Sequence, residues 1–204
     1  MLDRRAHWEK IYGDRKPDEV SWHQESPALS LELISQARVP KSGSVIDVGG
    51  GASRFVDSLL DQGFERVSVL DISARALAHA RERLGARSVK VNWIEADVTA
   101  FAPVEAYDLW HDRAVFHFLT EEADRQKYVD RIRGALKPGG ALILAAFAPD
   151  GPEKCSGLPV RRYDSNLLSE SFGDEFELLR ESAETHLTPW KTEQRFGYFL
   201  FQRK

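Results

Sequence analysis

The sequence predicts an α/β fold: a doubly wound, mostly parallel seven-stranded sheet with helices on both faces and a C-terminal antiparallel hairpin. Three observations predict it. Between Ser44 and Phe147 short apolar runs alternate with segments of helical period, the order that builds βαβ units. The runs are apolar almost throughout, as in ALILAAFA at Ala141–Ala148, so both of their faces are covered. Near the C-terminus, FELLRESAETHLT and TEQRFGYFLFQRK are strand patterns joined by a turn containing Pro189. Right-handed crossovers between the parallel strands make such a sheet Rossmann-like.

Each element has a local signature. Leu2 to Tyr12 reads as a short helix with Trp8 and Tyr12 on one face at i,i+4. The polar link GDRKPDEV and the stretch SWHQESP lead to a second helix, Pro27 to Ala37, and Pro40 to Gly43 break the chain. Ser44–Val48 is a strand and Arg54–Gln62 a helix closed by Gly63. RVSVLDIS is the next strand and ARALAHARERL a helix closed by Gly85. VKVNWIEADV and YDLWHDRAV are strands, followed by a helix from Glu121 to Leu136, a tight KPGG turn and the strand Ala141–Phe147. The chain is read as one domain, with residues 1–39 a helical lid segment and 40–204 the Rossmann-like core.

Composition narrows the function. With 204 residues, a net charge of −4, 42% hydrophobic and 29% charged residues, the chain has no basic field for nucleic acid or an anionic membrane. Arg75, Arg81, Arg83 and Arg87 read as solvated helix surface. Cys155 is the only cysteine, which excludes a disulfide framework and a cysteine metal cluster, and no metal is expected. MLDRRAHWEK lacks the apolar core of a signal peptide, and no apolar run reaches membrane-span length, so a cytoplasmic location is expected.

The stretch SVIDVGGGAS, Ser44 to Ser53, carries the functional signal. A dinucleotide fingerprint wants glycine at positions one, three and six; counted from Gly49 the third is Gly51 but the sixth is Arg54. Asp47 would also repel a pyrophosphate. A cationic ligand such as S-adenosylmethionine (SAM), with its ammonium and sulfonium, turns that carboxylate to advantage. The alternative is a glycine turn with no ligand. Asp71 ends the second strand about 20 residues on, where a carboxylate accepts both ribose hydroxyls. Asp97 follows WIEA, where it could meet an adenine amino group. Either acid could instead cap a helix or turn, since DIS precedes a helix and DVT a turn.

VIDVGGGAS, VSVLDIS, IEADVT, YDLWHDRAVFHFL and LKPGGALIL, in that order and spacing, resemble the class I (seven-strand) SAM-dependent methyltransferases. The resemblance covers Pro40 to Phe147, and the terminal hairpin fits the family's last two strands. Ser53 stands where the family's glycine motif usually has its last glycine, which bears on the local path of the turn. The resemblance implies SAM as cofactor and S-adenosylhomocysteine (SAH) as product. It implies the methionine moiety near Asp47, Gly49 and Gly51, the ribose at Asp71, and the adenine at Asp97 and Val98, with Gly50, Ile72 and His111 also among the cofactor contacts.

A sulfonium methyl needs a nucleophile aligned with it and water excluded. An amine or hydroxyl acceptor also needs a base, whereas a carboxylate or thiolate does not. His111, Asp112, His117, Tyr163 and His186 are expected near the rim, with His111 and His186 as candidate catalytic bases. The alternative for His111 is packing beside the cofactor. Neighbours on a strand face opposite ways, so Asp112 is expected to contact the backbone or Arg113's neighbourhood rather than to orient His111. Trp8, Tyr12, Trp22, Tyr163 and Trp190 are the candidate substrate and lid side chains; simple packing against the sheet edge is the other reading. His117 and Phe118 read as packing, His7 and His79 receive no role, and Cys155 reads as a loop residue. No Asn-Pro-Pro-Tyr stretch follows the fourth strand, which counts against amide or nucleobase nitrogen. A small-molecule acceptor is the reading taken. Its alternatives are a protein (lysine-type) methyltransferase, whose openings HWEKIY…SWHQ resembles as well as thiopurine-type ones, and a non-catalytic SAM-binding module.

Overall fold

The computed structural model describes residues 3–204. Helix α1 spans Arg4–Asp14, capped by the Asp3 carboxylate, which accepts the Ala6 N–H. The expected start at Leu2 lies outside the described residues. Helix α2 spans Ala28–Ala37 behind Pro27. Then come β1 (Ser44–Val48), α3 (Phe55–Asp61), β2 (Arg66–Asp71), α4 (Ala74–Leu84), β3 (Val91–Glu95), β4 (Tyr107–Arg113), α5 (Glu122–Ala135) and β5 (Leu136–Phe147). The chain closes with β6 (Lys154–Cys155), β7 (Leu158–Pro159), α6 (Ser165–Phe172), β8 (Phe176–Leu187) and β9 (Glu193–Arg203).

The seven-stranded sheet has the order β3-β2-β1-β4-β5-β9-β8; β9 runs antiparallel to both of its neighbours and the other pairs are parallel. The order reverses between β1 and β4, so crossovers leave those strands in opposite directions and open a crevice at their carboxyl ends. Both faces are covered, which accounts for the unbroken apolar runs. On one face Trp110, Leu142 and Leu144 meet Tyr128 from α5, Phe116 from the turn after β4 and Phe172 from α6. On the other, Leu109, Ile143 and Phe147 meet Leu33, Phe55 and Leu59 from α2 and α3.

Three expectations change. KPGG does not separate helix from strand: Leu136 already pairs with Tyr107, and Ala141 with Leu109, so KPGG loops out as a bulge within β5, with Gly139 at φ +77. Between Ala148 and Tyr163 the chain forms the small β6–β7 ribbon. Helix α6 was not foreseen, although Asp164 caps it through the Leu167 N–H and Gly173 ends it.

Candidate active site

Two adjoining cavities occupy the crevice. The first runs over the ends of β2 and β3 and the turn after β4, lined by Asp71, Ile72, Asp97, Val98, Val115 and Phe118 among others, and Trp8, Tyr12 and Trp22 cover it. The second lies beside the glycine turn, where Asp47, Gly49, Gly50, Ser30 and His111 meet Tyr12 and Trp22. Tyr12, Trp22, Val48, Gly49 and Arg113 line both.

The three glycines serve different purposes. Gly49 has φ +69, and a Cβ there would fall 2.1 Å from Val115 Cγ2. At Gly50 a Cβ would fall 2.3 Å from an Asp47 carboxylate oxygen, and at Gly51 2.4 Å from one of Asp71. The acid before the glycines therefore requires the second of them, because its carboxylate folds back under the turn. Ser53 takes the last glycine's place with a local turn bond: its hydroxyl accepts the Phe55 N–H at 3.1 Å, just ahead of α3. Arg83, expected as solvated surface, donates to the carbonyls of Ala52 (2.9 Å) and Ser53 (2.6 Å) and pairs with Asp57, so it clamps the turn from α4.

Asp47 is buried. Its Oδ1 lies 2.7 Å from His111 Nδ1, while Oδ2 is buried with no partner among the described residues. A carboxylate only accepts, so Nδ1 carries the proton of that bond. His111 Nε2 is 2.9 Å from the Ser30 hydroxyl, and the imidazole stacks on Phe55 at 3.9 Å. Both nitrogens are engaged, leaving none to accept a substrate proton; the geometry is that of a residue fixing Asp47 rather than of the expected base.

Asp71 is buried and accepts the Ser73 N–H at 2.8 Å, while Ser73 itself caps α4 through the Ala76 N–H. Burial pushes the Asp71 carboxyl up to about 7, with the Asp47 charge adding and the Ser73 and Ile72 N–H groups opposing. Asp97 lines the same cavity and also caps its turn, accepting from the Thr99 N–H (2.8 Å) and hydroxyl (2.7 Å), with Arg4 3.7 Å away. Asp112 takes the Val115 and Phe116 N–H groups and the Tyr128 hydroxyl, the backbone contact expected of it, and burial raises its carboxyl to about 6. These bonds pin the turn in which Ala114 stands at φ +73 and Val115 presses on Gly49.

Other expected site residues lie elsewhere. His186 Nε2 donates to the Ser21 carbonyl at 2.7 Å in an outer groove with Glu184; the groove shares His23 and Gln24 with the second cavity but not His186. Tyr163 packs in the sheet core against Phe116, and Trp190 is 54% exposed on the hairpin turn; neither lines the two cavities. His117 is buried and its imidazole is held neutral, pushed down to about 3 by burial. Trp8, Tyr12 and Trp22 do assemble, edge to face with one another and with Phe118. Trp22 Nε1 donates to the Tyr12 hydroxyl at 3.2 Å, and His79, given no role beforehand, bonds the Tyr12 carbonyl at 3.1 Å.

Arg113 was also missed. Its Nε donates to the Tyr198 hydroxyl at 2.8 Å and Nη1 to the Trp22 carbonyl at 3.0 Å, while the guanidinium sits over Phe196. Among the described residues Nη2 has no hydrogen-bond acceptor; Glu184 lies 3.6 Å away, engaged by Gln24 and Tyr198. Among the described residues no helix is long and apolar enough to cross a membrane.

A carboxylate at the end of each of the first two strands, a third just past β3, an unpartnered Asp47 oxygen and a cradle admitting no Cβ suit a cationic nucleoside ligand. Comparison with known proteins agrees with that geometry. Residues 45–140 match a family described as methyltransferase domain. Trans-aconitate 2-methyltransferase of Rhizobium leguminosarum bv. trifolii (strain WSM2304) is 28% identical over 174 residues, 85% of this chain and 56% of that protein. Nodulation protein S of Sinorhizobium fredii is 28% identical over 63% of this chain and 58% of its own length. The chain thus spans little more than half the length of these curated relatives. Among solved structures, the 1,6-didemethyltoxoflavin-N1-methyltransferase of Burkholderia thailandensis, holding its substrate and SAH, superposes with a TM-score of 0.75 at 20% identity, over 98% of this chain and 87% of that one. A SAM-dependent methyltransferase from Anabaena variabilis gives 0.79 at 16% identity, over 100% and 96%. Both likenesses are of fold.

Proposed function

We propose that this chain is a class I methyltransferase, a reading its fold and the match over residues 45–140 support, and that it moves the methyl group of SAM to a small-molecule acceptor. The buried, unpartnered Asp47 oxygen beneath the glycine turn carries this reading, because a buried carboxylate lacking a partner is costly unless a donor arrives. Asp47, Gly49, Gly50 and Gly51 would hold the methionine end, Asp71 with Ile72 the ribose, and Asp97 with Val98 the adenine. When bound, SAM supplies an electrophilic methyl; the protein's own part is to orient it, exclude water and present the acceptor.

A small acceptor is supported by the cover. Helix α1 and the segment through Trp22 lie over both cavities, held by Arg113 on the Trp22 carbonyl and by the Arg75–Glu9 pair, so a protein side chain has little access. We assign α1 and the segment through Trp22 to this cover and count α2, expected within the lid segment, with the core it closes, because Leu33 and Ile34 pack against the sheet. The relatives' names, trans-aconitate 2-methyltransferase among them, also point to small substrates. A single, buried thiol suits a reducing compartment, and cytoplasm is the location we infer.

Calorimetry should give one SAM or SAH per chain and no NAD binding. Turnover of SAM to SAH should appear with a low-molecular-mass cell extract and survive protease treatment of that extract. Failure to bind SAM would end this reading, and protease-sensitive turnover would move it to a protein acceptor.

A further inference from the structure

Resting on the methyltransferase reading, the next question is which kind of atom receives the methyl. The two cavities meet where Tyr12, Trp22, Val48, Gly49 and Arg113 line both. A ligand with its ribose at Asp71 and its amino-acid end at Asp47 must cross this junction with its middle, where the sulfonium lies. The acceptor therefore approaches past these same side chains.

Two of them carry hydrogen-bond donors without acceptors. The Tyr12 oxygen accepts from Trp22 Nε1, and among the described residues this is its only hydrogen bond, so its own proton is free. The phenol is held well above its ordinary range by burial first and the Asp71 charge second, so it stays protonated. The Arg113 side chain is 10% exposed, and its Nη2 finds no acceptor within hydrogen-bond distance. Glu184, at 3.6 Å, balances its charge without meeting those protons.

Among the described residues, the five that line both cavities include no free base. His111 has both nitrogens engaged, His186 faces the outer groove, and His23 lines only the second cavity, its Nε2 3.3 Å from Glu25. Cys155, also on the first cavity, keeps its proton, its thiol pushed up to about 11 by burial. An amine or alcohol acceptor needs a proton removed, whereas a carboxylate needs donors to hold it and no base.

We propose that the acceptor is a carboxylate, oriented by the Tyr12 hydroxyl and the Arg113 guanidinium, and that the product is its methyl ester. One carboxylate oxygen accepts from Arg113 or Tyr12 while a lone pair of the other forms the O–CH3 bond. The S–CH3 bond breaks and its electron pair returns to sulfur. One anion and one cation are consumed together, and no proton is released.

The test uses the whole chain with methyl-tritiated SAM and a panel of simple mono-, di- and tricarboxylic acids beside the matching amides and amines, together with a cell metabolite extract. Tritium should enter an acid, return as volatile methanol after mild alkali, and appear without acidifying a weakly buffered indicator. Tyr12→Phe and Arg113→Lys should each raise KM for the acid about 10-fold to 100-fold. Affinity for SAM, measured by calorimetry, should fall by less than KM for the acid rises, because the polar groups of both side chains are assigned to the acceptor and only the middle of SAM passes them. Alkali-stable product, one proton released per turnover, or unchanged KM in both variants overturns the inference while leaving the methyltransferase reading intact. So does a chain that binds SAM yet esterifies no acid in panel or extract. Absence of SAM binding defeats the underlying reading instead. Should Arg113→Lys fail to fold, Tyr12→Phe, which keeps the aromatic packing, decides alone.

Discussion

Replacing Asp71 by Asn should stabilise the free protein and weaken its hold on SAM. The Asp71 carboxyl is 6% exposed and raised from 3.8 to about 7, chiefly by burial. Its folded value lies above its unfolded one, so the neutral form favours folding. That contribution is complete below about pH 4 and is lost as pH climbs toward 7, where the folded chain must carry a buried charge. Three units at about 1.36 kcal/mol each set an upper bound of about 4 kcal/mol. Asn keeps an oxygen for the Ser73 N–H and carries no charge. At pH 8 the variant should be more stable by about 2–4 kcal/mol, or roughly 4–16 °C in Tm for a chain of this size; at pH 4 the difference should vanish. Removing the charge also weakens two hydrogen bonds to the ribose, costing about 2–4 kcal/mol of SAM binding at pH 8. For the native chain, SAM affinity should rise as pH climbs through 7, since the ionised carboxylate is the better acceptor. Thermal melts at both pH values and calorimetric titration with SAM measure all of this. Equal stabilities of the two proteins at pH 8, or SAM affinity indifferent to the substitution, would refute the argument that burial, held in readiness for a ligand, sets the state of Asp71.

His111→Asn should keep a donor for Asp47 and fold better than His111→Ala, which removes a buried partner of a charge and should cost about 3–5 kcal/mol in urea unfolding. Its rate at saturating SAM should remain near that of the native chain, while a loss of about 10²–10⁴ in single-turnover rate would restore the imidazole as base. Ala114→Gly relieves an L-residue at φ +73, worth about 1–2 kcal/mol, against about 0.4–1 kcal/mol of added chain freedom, so chemical denaturation should show a net gain of about 1 kcal/mol.

Much of this protein is legible in its sequence because the signals are local. A strand covered on both faces needs apolar residues throughout, whichever helices cover it, so VSVLD and ALILAAF declare themselves alone. Gly49 announces a left-handed turn, and Gly63 and Gly85 end helices, from their own φ, +81 and +56 at the two ends. The acids at the strand ends follow from the same counting, since a parallel sheet sends each strand's last residue to one rim. What tertiary structure decided was which polar atoms meet. Ser30 and His111 are 81 positions apart, Arg113 and Trp22 are 91, and Arg83 reaches Ser53 over 30. Periodicity shows only that Arg83 lies on a helix and His111 on a strand. Whether a nitrogen is free for catalysis or already engaged depends on the rotation of the neighbouring helix. The packing of whole faces sets that rotation. It turned His111 from base into support for Asp47, left His186 and Trp190 outside the crevice, and brought Tyr12 and Arg113 to its centre.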